Sequence, residues 1–143
     1  MRRLIPLALA AALLVPAAAL GDYDPGSYRG ETRKEDPISF SVGEKVKNFK
    51  WRKVRLECTD GDSLIGTSSS PKGSTFTVSD KGKFSFKVFN DVGVKWTVTG
   101  RLEGDGARGT LKTTARFDED NQAAADGSIK CTSGRMKWKA ELK

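Results

Sequence analysis

From Gly26 to the C-terminus, hydrophobic and polar positions alternate in short runs with a period of two. Ile38, Phe40 and Val42 alternate with Ser39 and Ser41, and Val54, Leu56 and Cys58 with Lys53, Arg55 and Glu57. Phe76 and Val78 make a brief run, followed by Phe84, Phe86 and Val88, and then by Trp96, Val98, Gly100 and Leu102. Leu111, Thr113, Ala115 and Phe117 continue the pattern, and Met136, Trp138, Ala140 and Leu142 end it against Lys137, Lys139, Glu141 and Lys143. A two-residue period puts alternate side chains on opposite faces, so these runs predict half-buried antiparallel strands rather than the continuously apolar strands of a parallel sheet. Asp80-Lys81-Gly82, Gly104-Asp105-Gly106 and Thr132-Ser133-Gly134 supply the short turns between them. No helix of useful length is predicted; Asn121 to Asp126 has the composition for a single turn.

The pattern breaks once. Phe49 and Trp51 have the opposite parity to Val54, Leu56 and Cys58, which predicts a bulge or corner near Arg52-Lys53. About nine strands with such a corner predict one all-β domain, an antiparallel two-sheet β-sandwich, with a closed meander β-barrel as the alternative.

The N-terminus follows a different logic. Arg2 and Arg3 precede an apolar stretch from Leu4 to Val15, and small residues from Ala17 to Gly21 allow cleavage after Ala19 or Gly21. Residues 1–21 read as a signal peptide and 22–143 as the mature domain, because the stretch from Leu4 to Leu20, with Pro6 and Pro16 inside it, is short for a membrane span. The expected location is therefore secreted, extracellular or in the envelope space. Oxidising conditions there make Cys58 and Cys131 an expected disulfide.

Composition narrows the chemistry. With no His, neither a Ser-His-Asp triad nor a His-ligated zinc is available, and two Cys cannot complete a thiolate zinc site. No cofactor is implied. Ser63, Ser68, Ser69 and Ser70 lack the context of a nucleophile, and the stretch from Leu64 to Gly73 reads as a mobile loop. Glu57, Glu103 and Glu141 fall at outward positions of their strands, where nothing desolvates a carboxylate. Asp118 and Asp120 cluster oxygen ligands where Ca²⁺ could bind, without the spacing of an EF-hand, and Asp60-Gly61-Asp62 is a similar turn.

Several ordered elements carry a resemblance: Gly26-Ser27-Tyr28-Arg29-Gly30, Leu56-Glu57-Cys58, Gly82-Lys83-Phe84-Ser85-Phe86, Ala107-Arg108-Gly109-Thr110-Leu111 and Cys131-Thr132-Ser133-Gly134. Together they resemble an uncharacterised group of small exported bacterial all-β domains with one disulfide. That resemblance implies fold and export, and no activity.

The formal net charge is +7, of which Arg2 and Arg3 in the leader contribute two. Lys45, Lys47, Lys50, Arg52, Lys53 and Arg55 follow one another without an acid, interleaved with Phe49 and Trp51. Cations beside aromatic rings suit a polyanion, whose charges they neutralise and whose bases or sugars the rings stack on. Lys45, Lys47, Lys50, Trp51, Arg52 and Lys53 are accordingly the candidate surface. Lys83, Lys87, Lys95, Arg101, Lys112, Arg116, Lys130, Lys137 and Lys139 lie at outward positions of later strands and would form a second basic face if those strands are neighbours. The sequence thus points to a non-catalytic exported domain that binds an anionic or carbohydrate polymer of the envelope or surroundings. An inhibitor presenting the Leu64–Gly73 segment to an extracellular hydrolase, and a carboxylate hydrolase, are the alternatives.

Overall fold

The computed structural model describes residues 21–143; the expected leader, Gly21 apart, lies outside them. These residues form β1 (Gly26–Thr32), β2 (Pro37–Val42), β3 (Lys45–Cys58), β4 (Ser63–Ser69), β5 (Thr75–Thr77), β6 (Lys83–Phe89), β7 (Lys95–Glu103), β8 (Gly106–Phe117), β9 (Ile129–Thr132) and β10 (Met136–Leu142). Neighbours run in the order β10-β1-β2-β3-β9-β8-β7-β6, and β8 pairs β10 as well. That extra ladder closes a ring of six strands, β1-β2-β3-β9-β8-β10. The protein is therefore all-β, and the barrel is the architecture present rather than the favoured two-sheet sandwich.

A short strand decides between the two. β9 pairs Glu57 and Cys58 at the end of β3 through Thr132 and Cys131, and pairs β8 from Thr114 to Phe117. Because β4 holds one edge of β3 over Lys50–Glu57, β9 must use the same edge as β2, beyond the point where β2 ends. Alternation within strands cannot reveal such a bridge, since it reports faces and not partners. Cys58 and Cys131 stand opposite each other in this ladder and are joined by the disulfide, which fastens the strand that closes the ring.

The corner lies where the parity breaks. Lys53 has φ 55° and the β3–β4 register shifts between Trp51 and Val54. A second bulge sits at Asn48, also at φ 55°, beside a shift in the β2–β3 register between Ser39 and Ser41. Two extra residues re-aim the strand twice, so that Val46, then Phe49 and Trp51, then Val54 and Leu56 all point inward and are buried.

The core these strands enclose is aromatic. Phe40 stacks on Tyr28 and on Phe49, each at 5.2 Å between ring centroids, and Trp138 meets Phe40 and Phe49 edge-on at 5.7 and 5.8 Å. Phe76 of β5 and Phe86 of β6 stack at 3.7 Å, packing together two consecutive outer strands that share no ladder. Gly100 of β7 faces Gly109 of β8, and a Cβ on Gly100 would overlap the Phe84 ring. Gly100→Ala should lower stability by about 1 to 3 kcal/mol through overpacking, measured by urea unfolding. A cost below about 0.5 kcal/mol would place that ring elsewhere.

One segment departs from the expectation outright. Leu64–Gly73 is not a mobile loop: β4 occupies most of it and pairs β3 from Lys50 to Glu57, leaving only a short connection to β5. Ser63-Leu64-Ile65-Gly66-Thr67-Ser68-Ser69 hides its strand character because it is an outer strand with only Leu64 and Ser68 partly buried, which erases the alternation.

Candidate polyanion-binding face

On β3 the structure keeps the cations and removes the ring from the expected surface. Lys45, Lys47, Lys50, Arg52 and Lys53 are exposed, whereas Trp51 is 1% exposed and forms part of the core. The parity shift at Lys53 is the reason, since a residue between two bulges takes the inward position of its own short segment. Lys47 lies between Ser41 of β2 and Thr75 of β5, and Lys50 between Ser39 and Ser69. The result is one strand of cations flanked by hydroxyls. Beside it, a depression of about 550 Å³ is lined by residues that include Arg29, Ser39, Ser41, Lys50, Ser69 and Lys72.

The denser concentration lies on the other arm of the sheet, where β10, β8, β7 and β6 are consecutive neighbours. Their registers align Lys139 with Arg108, Arg108 with Arg101, and Arg101 with Lys83. Four cations thus stand in one row across four strands, spanning about 14 Å at ordinary strand spacing. The next row is Lys137, Thr110, Thr99 and Ser85, and the one after it brings Lys112, Thr97 and Lys87 together. Lys95 with Thr114, and Arg116 with Lys130 of β9, extend the surface toward the disulfide. Cations at outward positions of four separate strands therefore converge on one face, with Thr and Ser between them.

Acid flanks the row: Glu31 of β1 stands opposite Lys139, and Glu141 lies two residues further along the same face of β10. Glu103 at the margin lies 2.7 Å from Arg101 Nε and 3.6 Å from Arg108 Nη2, and all three side chains are largely exposed. Exposed pairs of this kind contribute at most about 1 kcal/mol. Like charges directly opposite on neighbouring strands are unfavourable, by amounts similar to the gain from opposite charges. The Lys139–Arg108–Arg101–Lys83 row contains three such contacts in succession, an arrangement that the fold alone does not require. A concavity of about 900 Å³ adjoins it, lined by Arg101, Arg108, Thr110 and Lys137 and also by Phe84 and Trp138 of the core.

The other sequence candidates have local roles. Asp118 Oδ1 accepts the backbone N–H groups of Asp120 and Gln122 at 3.0 and 2.8 Å, and Asp60 Oδ1 accepts that of Asp62 at 3.1 Å. These carboxylates organise their own turns. Among the described residues, no group of three or more His, Cys, Asp or Glu is placed to hold a metal ion. Burial, and then the carboxylates of Asp24 and Asp105, push the Tyr28 phenol above its ordinary range. Its hydroxyl donates to the Asp24 carbonyl at 2.7 Å, tying the entry of β1 to the barrel.

Sequence reasoning missed two members of the basic face. Arg108 sits in Ala107-Arg108-Gly109, where Gly109 interrupts the apolar alternation, and only the register reveals it as the centre of the row. Phe89 ends β6 and is 66% exposed, with Lys95 Nζ 5.2 Å from its ring centroid. Comparison with known proteins supplies no relative for this arrangement: no family model, no curated protein and no solved structure matches the chain.

Proposed function

We propose that this protein is an exported binding domain that holds an anionic polymer against the outer face of β10-β8-β7-β6. The observation that carries the reading is the row Lys139–Arg108–Arg101–Lys83, set among further cations and hydroxyl groups. Cations held opposite one another repel in the free protein and are relieved when a polyanion enters, which also releases the counterions condensed on that polymer. Thr99 and Thr110, whose hydroxyls hydrogen-bond each other at 2.8 Å, leave the middle of the face low enough for a chain to cross it. The disulfide suits an oxidising compartment outside the cytoplasm.

The test is retention on polyphosphate and on heparin as salt is varied. Log affinity should fall linearly with log salt concentration, at about 0.7 to 0.9 per contacted charge. Absence of salt-dependent retention on both polymers at low ionic strength would overturn the proposal.

The strip on β3 provides an internal comparison. Changing Lys45, Lys47, Lys50 and Lys53 together to Gln should leave folding intact and change the slope by less than one contact's worth, about 0.7. A slope loss near 3 in this variant would move the binding surface from β8 to β3.

A further inference from the structure

The basic face ends in a cleft of about 570 Å³ beside the disulfide, lined by residues that include Phe89, Lys95, Lys112, Arg116, Lys130 and Thr132. Phe89 is the unusual member. Other aromatic rings of β6 and β7, those of Phe84, Phe86 and Trp96, are buried, whereas Phe89 leaves its ring 66% exposed among ammonium and guanidinium groups. Its exposure is not that of a frayed end: Phe89 is paired with Lys95, and the hairpin beyond it is closed by Asn90 N to Val94 O at 3.0 Å and Val94 N to Asn90 Oδ1 at 2.8 Å. Lys95 Nζ stands over one face of the ring, and the rest of the phenyl group is held in water in the cleft that Lys112, Arg116 and Lys130 also line, where an anionic chain crossing the sheet would leave it.

We infer that this cleft takes an unpaired base, making the polymer a single-stranded nucleic acid; the inference rests on the proposed polyanion reading. Single strands bind where a cationic track follows the phosphates and an aromatic face stacks on a base. Phe89 supplies the face opposite Lys95, whose Nζ stands over the ring 5.2 Å from its centroid and so keeps a cation next to the stacked base. A duplex keeps its base faces covered and cannot use the ring. An acidic polysaccharide could meet the charges and the hydroxyls of Thr59, Thr114 and Thr132, and the heparin arm of the experiment separates it from a nucleic acid. Glu57 is the carboxylate lining this cleft, and it lies 3.6 Å from Arg55.

The experiment compares the parent with Phe89→Ala and Phe89→Tyr against a 15-nucleotide oligo(dT), its duplex with oligo(dA), polyphosphate and heparin. The parent should prefer the single strand to the duplex. Phe89→Ala should weaken oligo(dT) about tenfold and leave polyphosphate within twofold, and Phe89→Tyr should restore most of the loss. Three results would overturn the inference while leaving the basic face standing. These are oligo(dT) binding unchanged in Phe89→Ala, an equal loss for polyphosphate, or a loss on heparin as large as that on oligo(dT). A parent that binds neither polyphosphate nor heparin would remove the polyanion reading and, with it, this inference.

Discussion

Trp138→Ala should lower the unfolding free energy by about 3 to 5 kcal/mol, the cost of emptying a large core site that cannot fully collapse. Trp138 is 3% exposed and its ring meets Phe40, Phe49 and Phe84. Its strand pairs β1 on one side and β8 on the other, where its direct partners are Thr32 and Gly109. Gly109 has no side chain to move into the vacated volume, so relaxation has to come from the aromatic cluster itself. Trp138→Phe should cost far less, because a ring remains and because the buried indole N–H has no hydrogen-bond partner to lose. Urea unfolding followed by far-UV circular dichroism measures both, free of the fluorescence change that removing a Trp brings. If Ala costs under about 1 kcal/mol, the ring is not the keystone of this core.

Much of this fold was legible along the chain because alternation and turn chemistry agree. The Met136–Leu142 and Trp96–Leu102 runs became β10 and β7, and the turns ending in Gly82 and Gly134 have positive φ at those residues. The parity break at Phe49 and Trp51 correctly placed a corner at Lys53. The same break bears on Trp51, since a residue just before a bulge can point inward with the opposite parity. The bulge at Asn48 went unseen because a lone Val46 is too little to define a phase. β1 was faint for a related reason: Gly26, Gly30 and Thr32 share the inward parity of Tyr28 but contribute no apolar bulk. β4 was lost because an outer strand buries too little to need alternation. Partner choice was the deeper gap. The basic face exists because Arg108 lies between Lys139 and Arg101, and register of that kind is set by strand pairing across the whole domain.

Changing Lys83, Arg101, Arg108 and Lys139 together to Gln should move stability and binding in opposite directions. Removing three successive like-charge contacts should raise stability by about 1 kcal/mol or less at low salt, a gain reduced by losing the exposed Glu103 pairs and the Glu31–Lys139 pair across β1 and β10. Polyanion affinity should fall roughly a thousandfold at about 50 mM salt, and the log–log salt slope should shrink by about 3, the share of four contacts on a single strand. The stability difference should fade as salt is added, because counterions already screen the exposed row in the parent. A face that is merely solvated gives the first result without the second: a more stable variant with unaltered retention. A variant that is less stable at every salt concentration would instead mean that the aliphatic stems of these cations cover the sheet, making the row a packing feature. Only the combination of gained stability and lost binding identifies the repulsion as the cost of keeping a site ready for an anionic chain, and that pairing is what the Lys139–Arg108–Arg101–Lys83 alignment requires.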